Sequence, residues 1–372
     1  MGGVRIDIIR RPDFDELGRD WRGLEAALPR EAPGRHFFRS WTWVGCLAAE
    51  RFPDAVLLRA TIEGRVAGLA LFNRCSGRLH LGESGDAVRD APFVEHNGPL
   101  VLADERLAPA LLREAAALPG LRRLVLSGVP ADVLAAAPGV LLRCQERQAP
   151  FVDLGAIRQA GGDHLQCLSA NTRQQIRRSH RHFAATGALR MHRAETQAEA
   201  EEMLARLMAL HGVSWNARGK PGAFAHPWVR RFHAELLRRA LPRGEVDLLE
   251  LRAGAETVGI LYNFRLDGRI SAYQSGFAAT PVPQAKPGMS CHAMAIARSL
   301  GNGDAIYDFL GGADRYKLSL ANRATSLFWA EKVPRWSPLG AAVRARDAMR
   351  AHLTSFRITS RGRSASGEGG AA

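Results

Sequence analysis

The sequence predicts an α/β fold made of two mixed units in tandem, and three observations carry that expectation. At 372 residues the chain exceeds the usual size of one compact domain. Apolar residues recur at helical spacing in some segments and alternate in others, in a similar mixture in each half. A pair of apolar runs joined by a glycine turn, Val56 to Thr61 with Val66 to Phe72, has a counterpart in Val246 to Arg252 with Val258 to Leu266. Two such hairpins also arise independently, so an internal duplication stays open. The expected units are residues 1–150, residues 151–336 and a terminal stretch, 337–372.

In the first unit, Asp15 to Leu28 reads as a helix with Leu17, Trp21, Leu24 and Leu28 on one face. Ser40 is placed to cap a second helix carrying Trp41, Val44 and Leu47. The hairpin follows, closed by Glu63-Gly64-Arg65, then a short helix from Leu107 to Ala117 and a strand from Leu121 to Ser127. In the second unit, Asn171 to Thr186 reads as a basic helix, Thr196 to Val213 as a long amphipathic one, and Pro227 to Ala240 as a third. Strands are expected at Val246 to Arg252, Val258 to Leu266 and Ile270 to Phe277, with turns at Ala253-Gly254 and Asp267-Gly268. After Trp336, Ser337-Pro338 opens a basic helix of about 18 residues by its apolar spacing. Beyond Thr359 the Gly/Ser/Ala-rich end buries too little surface to order.

Composition excludes several classes. No apolar run approaches the roughly 18 residues that cross a bilayer, and the first residues carry no secretory pattern, so a cytoplasmic location is expected. Five scattered cysteines (Cys46, Cys75, Cys144, Cys167, Cys291) show neither CxxC pairs nor metal-ligand spacing; they read as buried reduced thiols, and no metal is expected. A net charge of +14 invites a polyanion partner. The basic set is overwhelmingly arginine, which reflects a bias in composition as well as charge. Lysines are therefore informative, and Lys220, Lys286 and Lys317 all sit in loop signatures, with only Lys332 outside them. There is no G-x-S-x-G elbow, no P-loop, no H-E-x-x-H and no GxGxxG fingerprint after a strand.

The segment from Ala272 to Lys317 carries most of the functional signal. A strand ending in Gln274-Ser275-Gly276-Phe277 leads through a Pro-rich loop to Lys286-Pro287-Gly288-Met289-Ser290, which opens a helix, and Ile306 to Leu310 reads as a second strand. A strand, a helix N-terminus and a following strand together make a cradle for a pyrophosphate-bearing cofactor. That points to transfer of an acyl group.

The ordered set Asn171-Thr172-Arg173, Arg177, Arg178, Arg181, His211, Trp215, Gly219, Phe224, Ser275-Gly276-Phe277, Pro287-Gly288, Asp308-Phe309-Leu310, Gly312, Tyr316 and Lys317 resembles the CelD-like and FemABX-like branch of the GNAT acyltransferase superfamily. The likeness covers about 165 residues of the second half at the level of motifs. In the first half, Arg65 to Phe72 and Pro92 to Pro99 look like the partner domain of double-GNAT proteins. The resemblance implies two GNAT-like domains with mixed sheets flanked by helices and a substrate groove between them. It also implies an acyl-CoA donor and an amine acceptor, with aminoacyl-tRNA as the alternative donor in the FemABX branch. One departure is plain: Gln284 to Met289 has a single glycine where the usual pyrophosphate loop has two small residues.

Roles for residues follow as expectations. Backbone near Gln274, Ser275 and Gly276 would meet the oxyanion, and Lys286 with the amides of Gly288, Met289 and Ser290 would bind pyrophosphate. Asp308 would orient or deprotonate the amine, Tyr316 protonate the leaving group, Lys317 hold a phosphate or the oxyanion, and His211 serve as a base. Trp215, Phe224, Glu95, His96, Arg173 and Arg177 would contact substrate. The plainer alternatives stand beside these: a Pro-Gly cap, Asp308 capping the Gly311-Gly312 turn, a solvated Lys317 and a helix-end His211. The acceptor would be an amino sugar, a polysaccharide precursor or a sphingoid-type lipid base of the cell envelope, with the terminal basic helix attaching peripherally to an anionic membrane. A non-catalytic nucleic-acid module is the alternative from a different class.

Overall fold

Left-handed residue pairs close the hairpins: Glu63-Gly64, Ser76-Gly77 and Asp267-Gly268 all have positive φ, the combination that matches strand twist in two-residue turns. The computed structural model describes residues 3–32 and 34–349. Among them are β1 (Val4–Arg10), β2 (Ala55–Ile62), β3 (Arg65–Cys75), β4 (Arg78–Leu81), β5 (Leu100–Val101), β6 (Arg123–Val129) and β7 (Val140–Asp153). They are followed by β8 (Leu189–Arg193), β9 (Val246–Ala253), β10 (Glu256–Leu266), β11 (Arg269–Phe277), β12 (Ile306–Asp308) and β13 (Arg323–Val333).

All of these strands join one mixed sheet in the order β1-β2-β3-β4-β6-β13-β7-β12-β11-β10-β9-β8, with β5 against β3. The halves repeat one plan. β1 to β4 run antiparallel and β4 then pairs parallel with β6; β8 to β11 run antiparallel and β11 then pairs parallel with β12. Each half's last strand crosses over: β7 pairs with β12, β13 pairs with β6, and the two lie antiparallel to each other. Pro150 lies inside β7, so the sheet is continuous where the sequence reading divides the chain.

Helices form where caps and apolar stripes coincide. Asp13 accepts from the amides of Asp15 and Glu16 at 2.8 Å and starts the helix Phe14–Ala27, which buries Leu17, Trp21 and Leu24. Ser40 caps only a single turn, Trp41–Val44, because Leu47 turns left-handed at φ 48 and ends it. The basic helix spans Ala170–Ala184, the long helix Gln197–Asn216 and the third Pro227–Ala240. Of the strand expected over Ile306 to Leu310 only Ile306–Asp308 pairs, since Leu310 has φ 61. β1, β7 and β13 have no counterpart in the sequence reading; the polar run of β7 around Gln145 to Gln148 hides its strand character.

One apolar cluster spans both halves. Phe37 stacks on Phe264 at 4.1 Å, and Trp43 meets Phe232 and Tyr273 edge-on. Cysteines depart from expectation: Cys46 and Cys291 are buried, but Cys144 and Cys167 are exposed on polar segments. Residues 338–349 are helical, whereas Arg350 onward, with the end expected to be disordered, lies outside the described residues. Among the described residues no helix is long and apolar enough to cross a membrane.

Candidate active site

The site arises where two parallel strands part. β11 and β12 pair only from Arg269↔Ile306 to Ser271↔Asp308. Beyond that point the chain after β12 stays with β7, as the amides of Phe309 and Gly312 donate to the carbonyls of Pro150 and Gln148 at 3.0 and 2.9 Å. β11 runs on alone along this edge, bent by a bulge at Tyr273 between the Tyr262↔Gln274 and Asn263↔Ala272 pairs. The gap opens into a cavity of about 490 Å³. Its walls are Ala272, Tyr273, Gln274, Ser275 and Phe277 from β11, His211, Ser214, Trp215 and Arg218 from the long helix and its end, His292, and Asp314 to Lys317.

The first half has the same parting without the cavity. β4 and β6 pair from Arg78↔Arg123 to His80↔Val125, and beyond them Asn97 fills the gap. Its Nδ2 donates to the carbonyls of Leu81 (2.7 Å) and Ser127 (3.2 Å), and its backbone amide to Gly128 O. Asn97→Ala strips buried carbonyls of their donor, so a loss of about 2 kcal/mol in urea unfolding is expected; an unchanged midpoint would show that the plug is dispensable.

Charge at the cavity is net basic. Arg218, Arg315 and Lys317 face Asp314, and neither arginine has an ion-pair partner among the described residues. Lys317 Nζ donates to Gly311 O at 3.0 Å, and burial pulls its pKa below the ordinary lysine value. Burial, with Asp314 nearby, pushes the Tyr316 phenol up to about 12, so it enters any reaction protonated. Trp215 stacks on His211, and the Lys220 ammonium lies 5.7 Å from its ring centre.

Of the residues expected at the site, Gln274, Ser275, Trp215, Tyr316, Lys317 and His211 meet at this cavity. His211 is a brace there: its Nδ1 bonds Ser275 O and its Nε2 accepts from the amide of Ala223, both at 3.1 Å, so no lone pair remains for a base. Asp308 is 1% exposed and lies off the cavity wall. One of its oxygens caps the Leu310 amide, and the other lies 2.9 Å from His96 Nε2, in a close contact off the hydrogen-bond axis. Glu95 and His96 do not line this cavity. Glu95 accepts from the Gly311 amide, and together they lock the end of β12 to the first half. His36 stacks on His96 at 4.2 Å and 16°, and one nitrogen of each ring and an Asp308 oxygen lie within 4.8 Å of one another.

The expected pyrophosphate cradle lies off the wall of this cavity. Met289 and Ser290 are buried; the Ser290 amide bonds Lys286 O inside the helix Pro287–Gly301, and its hydroxyl pairs with Ser179. The Lys286 ammonium bonds Gln175 Oε1, and the face of Gly288 is turned to Phe277. Gly276 serves packing, because a Cβ there would stand 2.6 Å from Leu207 O of the long helix. Phe224 is core, Arg173 bonds the carbonyls of Leu168 and Gln166, and Arg177 is exposed on the far side of that helix; none of the three lines the cavity. The main residue missed by sequence reasoning is His292. It sits on the buried stripe with Met289 and Ile296, where only its polarity sets it apart.

Residues 170–318, the stretch that builds this cavity, match the family model described as "Acetyltransferase (GNAT) domain". Residues 170–318 thus form a GNAT-type domain, and that match supports acyl transfer as the activity. Over both halves its fold is like that of two solved structures. It is similar to the C-terminal domain of a "Putative Lysylphosphatidylglycerol Synthetase" from Agrobacterium fabrum, at 13% identity and a TM-score of 0.54, over 91% of this chain and 96% of that one. It is similar also to FemX, at 9% identity and a TM-score of 0.53, over 87% of this chain and 97% of that one. No curated protein matches the sequence.

Proposed function

We propose that the chain is an N-acyltransferase that moves an acyl group from an acyl-CoA thioester to an amine of a cell-envelope acceptor, such as an amino sugar, a polysaccharide precursor or a sphingoid-type lipid base. The observation that carries this reading is the parting of β11 from β12 beyond Ser271 and Asp308, which opens an unpaired strand edge beside Tyr316 and Lys317. A thioester carbonyl laid along that edge meets backbone dipoles, with Tyr316 placed to protonate the departing thiolate and Lys317 to hold developing negative charge. Arg218 and Arg315 would take the donor's phosphates in place of the helix start at Pro287. Peripheral attachment to an anionic membrane fits Trp336, which is 84% exposed with Arg335 and Arg344 over its ring.

The burial of Met289 and Ser290 at the start of Pro287–Gly301 favours a second reading, an aminoacyl-tRNA donor as in FemABX-like peptidyl transfer. The outward Arg177, Arg178 and Arg181 would serve it. Thermal unfolding separates the two. Acetyl-CoA at one hundred times its Kd should stabilise the fold by about 2.7 kcal/mol. No shift with acetyl-CoA, together with one from charged tRNA, would sink the thioester reading.

A further inference from the structure

We propose that His292 is a catalytic residue of this acyl transfer, a neutral imidazole whose Nε2–H donates to the acyl carbonyl oxygen as it becomes an oxyanion. The inference rests on the acyl-transfer reading and adds to it a side chain that the backbone edge alone does not supply. His292 lines the cavity from the helix Pro287–Gly301 while only 3% exposed. Its two nitrogens differ sharply. Nδ1 lies 2.9 Å from the hydroxyl of Tyr307, which is itself fully buried, whereas Nε2 has no partner among the described residues. Buried polar atoms are normally satisfied, so a lone one on a side chain that lines a cavity marks where a ligand atom belongs.

The proposal assigns the Tyr307 hydroxyl as the donor to Nδ1 across the 2.9 Å contact, and burial, which holds that phenol well above its ordinary pKa, keeps the O–H in place for it. Burial, and then the nearby Lys317 charge, push His292 down to about 3, so the ring stays neutral. A neutral ring that accepts at Nδ1 carries its single proton on Nε2. The ring is held flat against Tyr316 (5.6 Å, 22°) and edge-on to Phe309 and Phe277, which fixes the direction of that N–H. In the step it serves, the amine nitrogen bonds to the carbonyl carbon and the C=O π pair moves to oxygen, where Nε2–H meets it. The C=O then re-forms, the C–S bond breaks with its electron pair leaving on sulfur, and the proton released by the amine ends on that sulfur.

The test compares wild type with His292→Gln and His292→Ala, using acetyl-CoA as donor and hydroxylamine as a small amine acceptor. Two readouts are free thiol release and the infrared carbonyl stretch of bound acetyl-CoA labelled at the carbonyl. The expected result is a loss in kcat of about 10²-fold for His292→Ala with KM little changed. The carbonyl red shift should be present in wild type and absent in His292→Ala. Glutamine keeps an N–H donor but cannot accept a proton as a base, so His292→Gln should retain most of the rate and the shift. Equal, large losses in folded Gln and Ala variants would overturn the donor role, as would an unshifted carbonyl in wild type. Should His292→Ala fail to fold, the Gln variant and the wild-type stretch still decide. If wild type does not bind acetyl-CoA at all, the donor reading itself fails, which differs from binding with an unmoved carbonyl.

Discussion

Lys317→Met should lower kcat/KM for acyl transfer by about 10²- to 10³-fold, the range seen when one donor to a developing oxyanion is removed. The Nζ of Lys317 sits at the cavity wall, anchored at 3.0 Å by Gly311 O, and Glu95, Asp314 and Asp308 favour its charge while burial opposes it. Burial is the larger effect, so its pKa in the folded state lies below the ordinary lysine value. The sign of two consequences follows. If the charged form acts, the rate falls as pH rises through this lowered pKa, giving an alkaline limb earlier than a solvated lysine would, and Lys317→Met should abolish that limb. For stability, a lysine with a depressed folded pKa is a burden while charged, one relieved as pH rises; Lys317→Met should therefore leave the melting temperature unchanged or raised. Steady-state rates across pH with a melting curve on each protein check both. A variant that keeps its rate, or loses rate only because it melts, would remove Lys317 from the chemistry.

That the stretch from Ala272 to Lys317 mattered could be read from the sequence because its signals are local: Pro287 at a helix start, Gly268 in a turn, lysines scarce enough to stand out. What could not be read depends on contacts far apart in sequence. The Ser290 hydroxyl is tied to Ser179, 111 residues away, and Asp308 lies against His96 across the two halves, contacts that no local pattern announces. The exchange of β7 and β13 is illegible for the same reason: both strands carry polar, half-exposed faces, and their pairing is set by the partner strand rather than by their own alternation. His292 shows the converse limit. Its helical stripe predicts burial correctly, but whether a buried histidine is satisfied or left with a free nitrogen depends on Tyr307, fifteen residues on in another element.

The clasp between the halves yields the second large effect. Asp308→Ala should destabilise the fold by about 3 kcal/mol, because it leaves the buried Leu310 amide without its acceptor and removes the close contact with His96. Although burial alone would raise the Asp308 pKa, the charge of His96 and its contact, followed by Arg269 and the Leu310 amide, bring it net below the ordinary carboxylate value. The sign follows: a carboxylate with a depressed folded pKa contributes stability that is present above its unfolded pKa, about 3.9. That contribution is lost as pH falls through the lower folded value. Glu95, raised by burial, works in the opposite direction on the same clasp and is relieved by protonation. Between wild type and Asp308→Ala, the difference in urea midpoint should be full near pH 6 and shrink in acid, even though loss of the Asp308 charge also eases part of the Glu95 rise in the variant. A pH-independent difference would mean that the cost is the lost cap at Leu310 alone, and that the two halves are held by the shared core around Phe37, Trp43 and Phe264 without help from this charge pair.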